Sequence, residues 1–396
     1  MNAASAKPKA LLLLPEAPYP AIGGGPLRTA SIVGFLAANY ELHAIHFRLA
    51  GDPDPADAYP AGYLKSSHSL ELPQHAKALW PKMKRNLRRG LQCVPPLVDR
   101  FSGFDARIGT IVGDQEFDLI WIEHFWCAPY GALLRPHTRK LVLDLHNVES
   151  QYFASLGADA ALLPRLLWRH FSECAATLER KLIPTFDLVV TTSNDDLSRI
   201  AKFASVSAIV PNTIPLQELP QVEKSESIVF SGNFAYQPNQ QALEWFLAKC
   251  WPVILSARPR CRLRLVGKEI EYARRVAGNR QAIDFVGPVE DAVVAIASSR
   301  VAIVPLLAGS GTRLKILEAW AAGTAVVSTT IGAEGLGALP DLQIKIADGA
   351  AAFSQSVVDL FDNREARFRL AQAARQFYEA SFTWQAAHKT LSELDL

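Results

Sequence analysis

The chain has 396 residues, 49% of them hydrophobic, which is long for one core and comfortable for two. Its 20% charged residues nearly cancel, to a formal net charge of +2, so it lacks the global signature of a nucleic-acid binder or an acidic tail, and any electrostatic function must be local. Five scattered cysteines without a CxxC pair argue against a metal site or a disulfide framework and for a reducing cytosol, with the thiols as small buried hydrophobes.

The first segment reads MNAASAKPKALLLLPEAPYP. Its apolar run, ALLLL (10–14), is too short for a signal-peptide core or a bilayer span and is predicted to be a strand buried on both faces. Further strands are predicted at ELHAIHF (41–47), DLIWIE (118–123), KLVLDL (140–145), DLVVTT (187–192) and SAIVP (207–211). Helical patterns separate most of them, the longest from about Leu162 to Ile183. This alternation implies a parallel sheet covered on both faces. Polar, aperiodic NTIPLQELPQVEKSES (212–227) holds two prolines and reads as a linker. Strands then resume at SIVFSG (227–232), CRLRLVG (261–267), AIDFVG (282–287), VAIVPL (301–306) and TAVVST (324–329). Helices fit between them at 238–257, 289–299 and 312–322, and from about Ala350 the tail is helical with a break near Phe382. There is no short-period repeat. Two doubly wound α/β units would bind ligands at the carboxyl ends of their strands, and facing each other they would enclose an interdomain cleft.

Residues 49–105 do not fit the alternation. The stretch LWPKMKRNLRRG (79–90) combines Trp80 with Lys82, Lys84, Arg85, Arg88 and Arg89, which suits an anionic membrane surface and equally a solvated helix face. DPD (52–54) imitates a DxD metal motif but lies in a Pro-rich loop with no buried strand end before it, so it reads as a turn.

The stretch PLLAGSGTRLKILEAWAAG (305–323) carries more chemistry. A helix from Thr312 would set Leu314, Leu317 and Ala321 on a core stripe with Glu318 in the same stripe. A shielded carboxylate needs partners, and sugar hydroxyls are suitable donors. Gly309, Ser310 and Gly311 precede the helix and can cradle an anion with backbone N–H groups. Arg313 and Lys315 on the first turn oppose the helix dipole unless a diphosphate is bound there. The alternative is a Gly-rich turn and a helix with a stray Glu. GSGTRLK is not a Walker loop, because its spacing is wrong.

PLLAGSGTRLKILEAWAAGTAVVSTTIGAEGL resembles the donor-site signature of GT-B glycosyltransferases of family 4. The likeness extends to VFSGNFAYQPNQQALEWFLAKCWPVI (229–254), VPN (210–212) and APYPAIGGGPLRTASIVGFLA (17–37), so it covers most of the chain in order. It implies α/β GT-B architecture: two Rossmann-like doubly wound domains, an interdomain cleft and a C-terminal helix crossing back to the first domain. The expected divisions are an acceptor-binding domain at 1–214, a nucleotide-sugar donor domain at 215–380 and the returning helix at 381–396. Glu318 would hydrogen-bond the donor ribose. Ser310, Gly311 and Thr312 would donate to the diphosphate, with Arg313 and Lys315 as its nearest cations. Gly23, Gly24 and Gly25 would form a loop closely approaching the diphosphate and acceptor. Three departures stand out: the family's Glu eight residues before the ribose Glu is Ser310 here, SGNFAYQPN holds no Arg or Lys, and the Gly after the hinge Asn is Thr213.

On the acceptor side, WIEHFW supplies Glu123 and His124, and LDLHNVES supplies Asp144, His146, Asn147 and Glu149, at two strand ends. The family's acceptor-lining His, aligned from Asp118, falls on Glu123 rather than His124, so both are candidates. His146 is the third, because neighbours in His-Asn-x-Glu can fix its tautomer. The resemblance implies a retaining, metal-independent hexosyltransferase that uses a nucleotide-diphosphate sugar as co-substrate and no other cofactor. The acceptor hydroxyl would attack from the face the diphosphate leaves, with the diphosphate helping to take the proton. Expected partners are the donor and a glycan or lipid-linked acceptor of surface polysaccharide biosynthesis, without nucleic acid, in the cytoplasm or peripherally on the membrane through 79–90. The alternatives are a nucleotide-sugar epimerase on the same fold and a non-catalytic nucleotide-sugar-binding protein.

Overall fold

The structure is a computed structural model and describes residues 7–74, 79–158, 162–308 and 313–396. Two compact units divide the chain: Met1–Asn212 with His388–Leu396, and Thr213–Ala387.

The first unit is built on seven parallel strands: β1 (Lys9–Leu14), β2 (Glu41–Leu49), β3 (Ser66–Leu72), β4 (Phe117–Glu123), β5 (Thr138–Leu145), β6 (Leu188–Thr191) and β7 (Ser207–Ile209). Their order across the sheet is β3-β2-β1-β4-β5-β6-β7. Leu11 through Leu14 are all buried, because helices cover both faces of the sheet and leave no side of β1 to water. The order reverses between β1 and β4, so the connections after those two strands diverge and open a crevice at their carboxyl ends.

The second unit repeats the plan with β8 (Ser225–Ser231), β9 (Arg262–Val266), β10 (Ile283–Gly287), β11 (Ser299–Val304), β12 (Ala325–Ser328) and β13 (Lys345–Ile346). All pairings are parallel, in the order β10-β9-β8-β11-β12-β13, with the switch between β8 and β11. The chain is packed tightly at this switch: a Cβ on Gly267, just after β9, would lie 1.9 Å from the Gly232 carbonyl, so only glycine fits.

Every strand expected from the sequence forms. Two edge strands were not expected. Polar SSHSLEL makes β3, half exposed at the rim, and β13 has only two residues. Asp54 of the DPD stretch caps the 3-10 turn Pro55–Ala58, accepting from Ala56 N at 3.0 Å and Ser69 Oγ at 3.1 Å, which is a turn role.

The cysteine expectation fails. Cys93 and Cys174 form a disulfide, contrary to the reading of all five cysteines as isolated thiols. They are separated by 81 residues, a spacing that carries no pairing information in one sequence. Cys127, Cys250 and Cys261 are free and buried. Among the described residues, no helix is long and apolar enough to cross a membrane.

Candidate functional site

Chemistry gathers at the switch point of each sheet. In the second unit it lies between the end of β8 and the helix Leu314–Ala321 that follows β11. This helix starts two residues later than the sequence suggested. Arg313 is the residue before it, with φ −87° and ψ 84°, rather than part of its first turn. The Arg313 backbone already turns away from helical geometry, and its side chain is buried, donating from Nη2 to Ile331 O at 3.2 Å. The buried face is also broader than the expected stripe: Ile316, Leu317, Ala319, Trp320 and Ala321 are all inside, while Leu314 is half-buried. The anticipated anion-cradling residues Gly309, Ser310, Gly311 and Thr312 lie outside the described residues.

Lys315 and Glu318 are one turn apart and half-buried. Lys315 Nζ donates to Asn239 Oδ1 at 2.5 Å and stands 5.3 Å from the Phe230 ring centroid. Asn239, on helix Gln237–Trp245, is itself held by its Nδ2 donating to Asn233 O at 2.8 Å. Burial, reinforced by the nearby Arg313 charge, lowers the Lys315 pKa to about 7. Burial raises Glu318 to about 7, opposed by Lys315 and reinforced by Asp291. Arg313 is likewise lowered by burial, with Tyr236 and Glu334 pulling it back. Two cations and a carboxylate therefore lie in a poorly solvated place at the carboxyl end of a parallel sheet. This is where an anionic ligand with hydroxyls would find both kinds of partner.

In the first unit, β4 and β5 end on adjacent carboxylates. Glu123 and Asp144 are register partners and fully buried. His146 Nε2 lies 2.6 Å from Glu123 Oε2 and 3.7 Å from Asp144 Oδ2. Glu123 also accepts from Thr29 Oγ1 at 3.3 Å and Trp121 Nε1 at 3.2 Å. Arg28 on helix Gly24–Asn39 grips Asp144 with Nε at 2.9 Å and Nη2 at 2.5 Å, and gives Nη1 to Val210 O at 2.5 Å. Glu123, Asp144 and His146 offer ligand atoms close enough together for a metal ion. The Arg28 guanidinium already occupies the cationic position against Asp144, so the set fits a proton network better than a metal.

Burial raises Glu123 to about 7, with Arg28, Thr29 and Trp121 opposing, and lowers His146 to about 4. Burial thus pushes both members of this short contact towards their neutral forms. His124 is pushed well below its ordinary value by burial and by His146. It adopts φ 61°, ψ 143°, a conformation that costs a non-glycine residue about 1–3 kcal/mol. Its N–H donates to Asp144 O at 2.9 Å, its ring stacks on Trp126 with centroids 4.1 Å apart, and the His146 ring lies tilted against it with centroids 3.6 Å apart. The structure thus brings Glu123, His124 and His146 together. Glu149 lies further along, accepting from Trp126 Nε1 at 2.7 Å.

The three glycines differ from the expected loop. Gly23, with φ +95°, is the residue before helix Gly24–Asn39, and Gly24 and Gly25 are its first two residues. The first turn has no acidic residue and no side-chain cap. A Cβ on Gly25 would meet Glu16 Oε2 at 3.1 Å, which places Glu16 beside this turn. Sequence reasoning missed Arg28, Glu16 and Asn239. Arg28 alone left a trace, as the one charge in the apolar stretch LRTASIVGFLA.

Residues 225–363 match the family described as Glycosyl transferases group 1. The second unit is a group 1 glycosyl transferase domain. An uncharacterized 44.6 kDa protein of the cps region of Klebsiella pneumoniae is 25% identical over 290 residues, 70% of this chain and 74% of that one. Among solved structures, sucrose-phosphate synthase of Thermosynechococcus elongatus is similar with a TM-score of 0.69 at 17% identity, covering 97% of this chain and 98% of that one. Anabaena HepE, in complex with UDP and glucose, gives 0.67 at 16% identity over 97% and 98%. WaaG, a glycosyltransferase of lipopolysaccharide biosynthesis, gives 0.64 at 12% over 96% and 98%. The fold is GT-B: two parallel-sheet α/β domains.

Proposed function

We propose that the protein is a retaining glycosyltransferase that moves a hexose from a nucleotide-diphosphate sugar to a glycan or lipid-linked glycan during surface polysaccharide synthesis. The observation that carries this reading is the Arg313–Lys315–Glu318 group on one helix start within the matched domain. Arg313 and Lys315 hold the diphosphate, and Ser310, Gly311 and Thr312 add N–H or hydroxyl donors. Glu318 takes the ribose hydroxyls. The uncapped turn at Gly23, Gly24 and Gly25 offers the first unit's own N–H groups to phosphate. With two arginine- and lysine-borne charges available, no metal is needed to stabilise the leaving group. The leaving diphosphate helps remove the proton of the acceptor hydroxyl, and Glu123, His124 and His146 hold that hydroxyl and its proton network.

The neighbours support the choice of substrates by analogy. HepE was solved with UDP and glucose, and the Klebsiella relative is a cps-region protein. The stretch 79–90 makes a peripheral contact with the cytoplasmic face of a membrane; the Lys82 side chain lies outside the described ones. The test is to incubate the protein with nucleotide sugars and glycan acceptors, and to read nucleoside diphosphate release and the anomeric configuration of the product. Release that requires acceptor, with the donor's configuration kept, is expected. Inverted configuration, or interconversion of the sugar without acceptor, overturns the reading.

A further inference from the structure

The helix Leu79–Gln92 lies against the long helix Leu162–Leu182, and the two run in the same direction. Gly90 O accepts from His170 Nε2 at 2.9 Å, and the Cys93–Cys174 disulfide lies just beyond. Between them is a groove of about 550 Å³, lined chiefly by Arg85, Arg89, Pro164, Leu167, Trp168 and Phe171. Its volume is that of a small-ligand site.

Three features say what would fill it. First, Trp80, Met83, Leu87 and Leu91 recur on one face of the shorter helix and are 79%, 53%, 66% and 80% exposed. Leu162 and Leu166 are exposed at the matching end of the long helix. Second, the cations are not balanced. Arg88 and Arg89 share Asp99, at 2.6 and 2.7 Å, while Arg85 has no ion pair among the described residues. Third, Arg85 Nε is buried without a hydrogen-bond partner, a donor withheld from water and left unmatched. An apolar trough with one unmatched guanidinium at its side, beside an exposed apolar ridge, is complementary to an amphiphile with an anionic head.

We propose that this groove binds one anionic phospholipid of a bilayer leaflet, with an acyl chain against Leu167, Trp168 and Phe171 and the phosphate on Arg85. The proposal deepens the membrane contact described above and rests on it. Lipid capture would hold the first unit at the membrane by a specific ligand as well as by surface charge.

The test is flotation of the full chain with phosphatidylcholine vesicles, with and without phosphatidylglycerol. Wild type should float with the anionic vesicles. Arg85→Gln should weaken partitioning more than the roughly fivefold expected for one surface charge, and Lys84→Gln, which removes an equal charge outside the groove, should cost only about that fivefold. Leu167→Gln should weaken binding without changing charge. Equal losses for Lys84→Gln and Arg85→Gln, with none for Leu167→Gln, would overturn the groove while leaving the membrane contact intact. No flotation with either vesicle would overturn both. UDP affinity, measured on the same preparations, should be unchanged by all three substitutions, so donor binding and lipid binding are read separately, and flotation left unaltered by Arg85→Gln and Leu167→Gln would overturn the groove whatever the UDP result.

Discussion

Replacing Glu318 with Gln separates a ligand-binding carboxylate from a structural one. Burial lifts its pKa from 4.5 to about 7, so the folded state favours the protonated form. With the folded value above the unfolded one, the stability this group contributes is complete below pH 4.5 and is lost as pH rises to about 7. At pH 8 the ionised carboxylate costs the fold about 3 kcal/mol by that shift, or roughly 2 after allowance for partial exposure and for Lys315. Glu318→Gln removes the penalty and keeps the shape. It should therefore raise the melting temperature at pH 8 by roughly 4–8 °C, since a unit of this size gains about 2–4 °C per kcal/mol. At pH 5 the two proteins should melt nearly together. Nucleotide affinity should fall by about tenfold or more, because an amide accepts ribose hydroxyls less strongly than a carboxylate. Scanning calorimetry at both pH values and a UDP or GDP titration give the two readings. A variant that melts lower at pH 8 and binds nucleotide as before would refute the reasoning, and Glu318 would then be holding the fold.

Other outcomes follow from the same geometry. Lys315 is lowered from 10.5 to about 7, so its stability contribution is present above pH 10.5 and lost as pH falls through 7; a bound diphosphate restores its charge. Nucleoside diphosphate binding at pH 8 should take up close to one proton, which titration calorimetry in buffers of different ionisation enthalpy will show; zero uptake would mean Lys315 does not meet the phosphates. Arg28→Ala leaves the buried Asp144 carboxylate without its counter-ion and should destabilise the first unit by about 3–5 kcal/mol in urea unfolding, whereas a loss below about 1 kcal/mol would mean Asp144 is neutral. Reducing the Cys93–Cys174 bond, which closes a loop of 81 residues, should cost that unit up to about 4 kcal/mol, and an unchanged denaturation midpoint would show that the link adds nothing.

The strands that build both sheets were legible because each is a short apolar run between polar turns, as in ALLLL and TAVVST. The edge strand SSHSLEL was not, because a rim strand buries little and leaves no apolar pattern. Glu318 announced itself as a charge in a buried stripe, and Glu123 with His146 as polar residues at strand ends. The contacts that give them chemistry were hidden. Arg28 meets Asp144 across 116 residues, and Lys315 meets Asn239 across 76, and only the folded sheet brings those positions together. Helix starts are less legible than strands. Gly23 and Arg313 end the preceding loops through their own backbone angles, which a pattern of apolar residues does not encode.

The most direct test of the donor assignment is a calorimetric panel of UDP, GDP, dTDP and CMP against the wild-type protein without added metal. If the assignment holds, one nucleoside diphosphate binds one-to-one, and Arg313→Ala and Glu318→Gln each weaken it. Silence across the panel, or binding that survives both substitutions, would contradict it.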